Sequence, residues 1–367
     1  MSRLRLVSLL SLILLALNCK RPAVSPSSEG DRRDLVRKTE KAVEAAGKSQ
    51  VWFQSPTGSA PGRPETPSEA RVGSEAYAAV IAALRHEAEK DGLQFTINQS
   101  RTKETWRVAD VRLSRQGKLV CRWKLHEVRR ILYAAIIIDD LGQNLSSVRQ
   151  LLALPDSVTF SVLPHLQESV ETAHEARRAG REVMLHFPME PEPGSRISAG
   201  KGEIRSGMTE AEIEDILQSD LDSVPAAAGV NNHMGSGATA DPRLMAAVMR
   251  LLRERHLYFV DSRTTPASVA FSAARREGLP AFYRSVFLDD TETVPYTLGQ
   301  LRRFRHILEE QGVALAIGHP HPTTITALAQ YLPELEQSGV RLVPVSRILR
   351  LPEAASLKPP PFRALAR

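Results

Sequence analysis

Cysteine is almost absent from this chain: Cys19 and Cys121 are the only two in 367 residues. A disulfide framework of the kind that staples small secreted domains is therefore excluded, and the fold must rest on an apolar core. Aromatic residues make up only 5%. No block of lysine and arginine is interleaved with them, so nothing argues for nucleic acid as a partner. Long apolar runs are missing too. Beyond Leu6 to Leu17 no stretch approaches the roughly 20 residues that a membrane-spanning helix needs.

What is present is a chain 42% hydrophobic and 25% charged, with a formal net charge of +6. That suffices for one large domain and a small one. A basic surface suits an anionic polymer of the cell envelope. At the N-terminus, Arg3 and Arg5 precede the short apolar run, and Asn18-Cys19 follows it. This order reads as an export signal over residues 1–19. Leu15-Ala16-Leu17-Asn18-Cys19 resembles a bacterial lipobox, which makes Cys19 the expected lipidation site and the periplasm or cell envelope the expected location. Membrane attachment is then expected only through this N-terminal anchor. The other cysteine, Cys121, reads as a small buried residue on a strand.

Residues 20–74 are rich in Pro, Ser, Gly and charge and read as a flexible linker, with a short helix around Asp34 to Ala46. Residues 75–127 combine one helical pattern, with Tyr77, Val80, Ile81 and Leu84 on one face, and three strand-like runs. They form a small α+β domain, a candidate for docking a protein partner. From residue 131 to 350 short apolar runs alternate with helical patterns, and a C-terminal tail covers 351–367. Gly180, Gly278, Gly312 and Gly339 sit where helices should end, and Thr209 with Glu212 forms a capping box. Seven or eight such strands favour an α/β barrel over a doubly wound sheet.

Five of the apolar runs end in acids or imidazoles: Asp139-Asp140, His186 with Glu190, Asn231-Asn232-His233, Asp261-Ser262-Arg263, and His319-Pro320-His321. In a barrel, the C-terminal strand ends converge on one mouth. These side chains therefore gather where a divalent metal can activate water. Paired acids at Asp139 and Asp140 suit one ligand and one base. Asn231, Asn232 and Ser236 are placed to orient an imidazole or a substrate. Asp261 is expected to tune a catalytic imidazole and Arg263 to position an oxygen-rich substrate, the alternative being an ion pair between them. Glu190 is a further ligand or an exposed loop residue. His165 also ends a strand and aims at the mouth. Asp289-Asp290, followed by Thr291-Glu292-Thr293, reads as a solvated rim.

Taken in order, Ile138-Asp139-Asp140-Leu141-Gly142, Leu185-His186-Phe187-Pro188-Met189-Glu190, Asn231-Asn232-His233-Met234-Gly235-Ser236, Asp261-Ser262-Arg263-Thr264 and Gly318-His319-Pro320-His321-Pro322 resemble the divergent polysaccharide deacetylase family over about Tyr133 to Leu349. The resemblance implies a deformed seven- or eight-stranded (β/α) barrel. It also implies a divalent metal of the zinc type and a polysaccharide or other envelope glycan as substrate. By position it makes Asp139 the base, Asp140 a ligand, and His319 or His321 the general acid. Related carbohydrate esterases carry both metal-binding imidazoles in one motif after the third strand. This chain has only His186 there, so His233 is the candidate for the second. The expected activity is hydrolysis of a carbon–nitrogen bond, the deacetylation of a glycan. The alternatives are a catalytically silent glycan-binding module with a vestigial metal site, and a metal-dependent hydrolase of another amide or ester.

Overall fold

The computed structural model describes residues 29–54, 66–101, 107–155, 157–192 and 194–357. The segment expected to be an export signal, Cys19 and the tail beyond residue 357 lie outside them. The chain divides into two compact units at Val128/Arg129.

The first unit holds α1 (Glu29–Gly47), β1 (Val51–Gln54), β2 (Ser68–Gly73), α2 (Tyr77–Lys90), β3 (Gln94–Arg101), β4 (Arg107–Arg115) and β5 (Lys118–Val128). Its sheet runs β1-β2-β5-β4-β3. Alternation along β4 and β5 buries Ala109, Val111, Leu113, Cys121, Trp123 and Leu125, the pattern of strands with one face in a core. Tyr77, Val80, Leu84 and Ala88 of α2 recur at helical spacing and close the same core. Burial pushes the Cys121 thiol up to about 12, so it behaves as an inert apolar group.

The linker expectation for residues 20–74 is corrected here. Residues 29–54 and 68–73 supply α1, β1 and β2, and these are part of the core. Leu35 and Val43 are buried, and Thr39 accepts a hydrogen bond from the Trp123 indole at 3.2 Å. Composition misled because only six of the 19 residues of α1 are apolar. Such a helix is stabilised by the sheet it covers rather than by its own sequence.

The second unit contains β6 (Leu132–Leu141), α3 (Leu145–Leu151), β7 (Thr159–Val162), α4 (Ser169–Arg178), β8 (Val183–Met189), α5 (Glu210–Ser223), β9 (Gly229–Met234), α6 (Pro242–Glu254), β10 (Tyr258–Asp261), α7 (Ala270–Arg276), β11 (Ala281–Tyr283), β12 (Val286–Phe287), α8 (Val294–Gln311), β13 (Val313–Gly318), α9 (Pro322–Gln337), β14 (Val340–Leu342), α10 (Val345–Ile348) and α11 (Pro352–Ser356). All its strand pairs are parallel, in the order β11-β10-β9-β8-β7-β6-β13-β12, with β14 added to β6. Residues 281–287 form two short strands that change partner. Arg284 N donates to Asp261 O at 2.9 Å, and Ser285 N donates to Leu315 O at 2.7 Å. One extended segment thus leaves β10 and joins β13, closing a deformed (β/α) barrel.

Ala134 to Ile138 of β6 are completely buried, as a strand covered on both faces requires. Each such Ile side chain contributes about 1.5–3 kcal/mol. The capping box forms at Thr209 and Glu212, and Gly180, Gly278, Gly312 and Gly339 all take positive φ at helix ends.

A fragment beginning at residue 75 should lose the first unit's packing, because it lacks α1 and the strand that pairs with Ser68↔Trp123 through Gly73↔Val128. Limited proteolysis should cut β4 and β5 in that fragment but not in one beginning at Glu29. Equal protection of both would show that α1, β1 and β2 contribute nothing.

Candidate metal centre

Strand geometry sends neighbouring side chains to opposite faces, yet Asp139 and Asp140 both reach the barrel mouth. The backbone explains this. Asp140 has φ 57°, and the β6–β7 register shifts between Ile138 and Leu141. A bulge of this kind re-aims a side chain at a local conformational cost. On β9 no such device is needed. Asn231 and His233 are two apart and face inward together, while Asn232 faces the other way.

Asn231 organises the centre. Its amide nitrogen donates to Asp139 Oδ1 and Oδ2 at 2.8 and 3.1 Å. Its carbonyl oxygen therefore faces His186 Nδ1 at 2.9 Å and the Ser161 hydroxyl at 2.7 Å, and accepts from both. This places the His186 proton on Nδ1 and leaves the Nε2 lone pair pointing inward. His186 Nε2 lies 3.1 Å from Asp140 Oδ1 and 3.1 Å from His233 Nδ1, and His233 Nδ1 lies 3.0 Å from Asp140 Oδ1.

These three atoms form a triangle of lone pairs. Asp140 Oδ1 is sealed from solvent with no hydrogen bond of its own. Burial works to raise the Asp140 carboxyl, but the two imidazoles outweigh it and hold the group well below the usual carboxylate range. Burial lowers His186, and Asp139 and Asp140 more than offset it, so the ring is raised. Ligands around a tetrahedral ion with bonds of about 2.0–2.1 Å stand about 3.3 Å apart. The donor set, its spacing and the orphaned oxygen fit a divalent cation bound by Asp140, His186 and His233, with further positions open.

Opposite this triangle stands His319, just past β13. Its Nε2 lies 3.9 Å from Asp140 Oδ2. Its Nδ1 donates to Asp289 Oδ1 at 2.9 Å and its backbone N to Asp289 Oδ2 at 2.6 Å. Thr324 donates to the same carboxylate at 2.7 Å. Burial lowers His319, but Asp289 above all, with Asp139 and Asp140, lifts it to about 9. The rim expectation for Asp289 is therefore corrected: its side chain is fully buried, and it orients the imidazole. Two threonines and a glutamate after it suggested solvent. The informative signal was instead its position, two residues past β12, the strand paired with β13.

The other candidate residues take partners of their own. Asp261 touches no imidazole. It accepts from Arg263 N, the Ser268 hydroxyl and Phe271 N, and so shapes the loop after β10. Arg263 places its guanidinium over the Tyr283 ring. Asn232 ties Ser262 N, Thr264 and Met234 O together rather than holding an imidazole. Glu190 accepts from Ser206 N and pins the loop after β8. His321 stands at the outer edge, 3.6 Å from Glu292. His165 turns to Asp220 on α5 at 2.7 Å.

The chain is 36% identical over 225 residues to an uncharacterised protein of Haemophilus influenzae, a match covering 61% of this chain and 79% of that one. It is 37% identical over 226 residues to the uncharacterised protein YibQ of Escherichia coli K12, covering 62% and 70%. An uncharacterised protein of Agrobacterium tumefaciens C58 has a crystal structure that shares the fold, with a TM-score of 0.58 and 24% identity over 60% of this chain and 89% of that one. The family model for divergent polysaccharide deacetylases matches residues 136–349, more than half of the sequence and every residue of the centre just described. The chain belongs to the divergent polysaccharide deacetylase family.

Proposed function

We propose that this protein is a metal-dependent deacetylase of a cell-envelope glycan, exported by its N-terminal segment and anchored through Cys19. The observation that carries the reading is the sequence of groups across the mouth: Asp139 held by Asn231, then the Asp140–His186–His233 triangle, then His319 held by Asp289. A zinc-type ion held by Asp140, His186 and His233 supplies a Lewis acid that lowers the pKa of a water and polarises an amide carbonyl.

The chain's own groups do the proton work. Asp139 is fixed by two hydrogen bonds from Asn231, and it takes the proton of the attacking water. His319 is protonated at neutral pH and gives its proton to the departing amine. Water and an N-acetyl group thereby become acetic acid and a free amine. His319 rather than His321 suits the acid role, because its Nε2 faces Asp140 while His321 turns to Glu292. A silent binding module was suggested by the lone imidazole after the third strand. His233 stands beside His186 and supports the hydrolytic reading instead.

Three outcomes test this. Elemental analysis should find close to one zinc-type ion per chain in the parent and almost none in His233→Ala, and a variant that kept its ion would refute the ligand assignment. Asp139→Asn should retain the ion yet lose about 10²–10⁴-fold in acetate release from a partially N-acetylated glycan. In Asp289→Asn the carboxylate that raises His319 is gone. The imidazole then loses its proton at lower pH, and the alkaline limb of the rate profile should move to lower pH with metal content unchanged. An unmoved limb would remove His319 from the acid role.

A further inference from the structure

Arg284 sits where the chain passes from β11 to β12, at the closure of the barrel. Its Nε donates to Ser262 O at 2.6 Å, its Nη2 to Arg263 O at 2.8 Å, and its guanidinium lies 3.7 Å from the centre of the Phe287 ring. The other neighbour of that ring is His319, at 5.8 Å and 24° between planes. The Ser262 hydroxyl in turn accepts from the Asn231 amide at 3.3 Å. Arg284 is thus joined to both sides of the centre, through Ser262 to the base and through Phe287 to the acid.

No carboxylate of the described residues lies within ion-pairing distance of Arg284. Among the described residues its Nη1 has no acceptor, and it is not one of the buried side-chain atoms left unpaired. Burial pushes the guanidinium down to about 10 despite the fields of Asp290, Asp261 and Asp139. A shielded cation without a counter-ion is costly. If stapling two carbonyls were its only task, a neutral donor would serve. With Nε and Nη2 each giving one N–H to a carbonyl, the remaining N–H groups of Nη1 and Nη2 form the end-on fork that matches a carboxylate.

We propose that Arg284 binds a carboxylate carried by the glycan beside the reacting N-acetyl group, so that the site selects an acidic glycan over a neutral one. This rests on the glycan reading above and names the substrate class for that site.

The test uses the full-length, metal-loaded protein and two probes: a short oligosaccharide alternating N-acetylated amino sugars with uronic acids, and the same oligosaccharide with its carboxyls methyl-esterified. Calorimetric titration should show the acid bound at least about tenfold more tightly than the ester, the scale of one charge-assisted hydrogen-bonded pair. In Arg284→Gln that ratio should collapse toward one, and in Arg284→Lys it should recover in part. Equal binding of acid and ester by the parent, binding of neither, or an unchanged ratio in a folded Arg284→Gln would each overturn the proposal. Acetate release is measured alongside. Acid preference without release would retain Arg284 as the selector and refute the deacetylase reading, whereas release without preference would do the reverse.

Discussion

Everything at the mouth depends on two adjacent carboxylates facing the same way while having different neighbours. A regular strand forbids this. The left-handed backbone at Asp140 permits it, and Asn231 then separates the two chemically. By donating to both oxygens of Asp139, its amide commits its carbonyl to His186, which fixes the ring's tautomer and leaves a lone pair for the interior. One neutral side chain therefore keeps Asp139 an acceptor, orients His186 and leaves Asp140 to the two imidazoles. Placed the other way round, the amide would set an oxygen against a carboxylate and a nitrogen against a ring donor, so the orientation has no competitor.

The charge balance follows from the same arrangement. Asp139, Asp140 and Asp289 bring three carboxylates to the mouth, and two of them are buried with their charge met by hydrogen bonds rather than by lysine or arginine. The imidazoles at 186 and 319 are raised by these carboxylates against their own burial. Such a centre binds either protons or a cation, and an acidic solution would favour the protons. The second unit thus carries an internal reason for metal affinity to weaken as pH falls.

The barrel was legible because fully buried parallel strands are continuous apolar runs and because five of them end in residues with chemistry. Asp139, Asp140, His186, His233 and His319 all lie at or just past such ends. Partnerships were not legible. Asp261 resembles Asp289 locally, each following a strand in a polar stretch, and only the pairing of β12 with β13 decides which one meets His319. Asn231 and Asn232 are indistinguishable in sequence until strand alternation assigns their faces. The region before residue 75 was misread for a different reason. The apolar residues of α1 are sparse, and β1 and β2 are separated by a proline- and glycine-rich stretch, so their pairing is a long-range event that composition does not encode.

The barrel's closure rests on a short seam. Three residues of β11 and two of β12 do the work that six do between β13 and β6. In a ring of strands, resistance to opening is set by the weakest join, and local unfolding starts where the fewest hydrogen bonds must break. Arg284 lies in that join and Asp289 just beyond it. Arg284 and the carboxylate that holds His319 thus stand beside the shortest pairing of the ring, two residues between β12 and β13, while His186 and His233 stand on one of the longest, six residues between β8 and β9. A disturbance that opened this seam would therefore move Arg284 and Asp289 before it moved the paired imidazoles of β8 and β9.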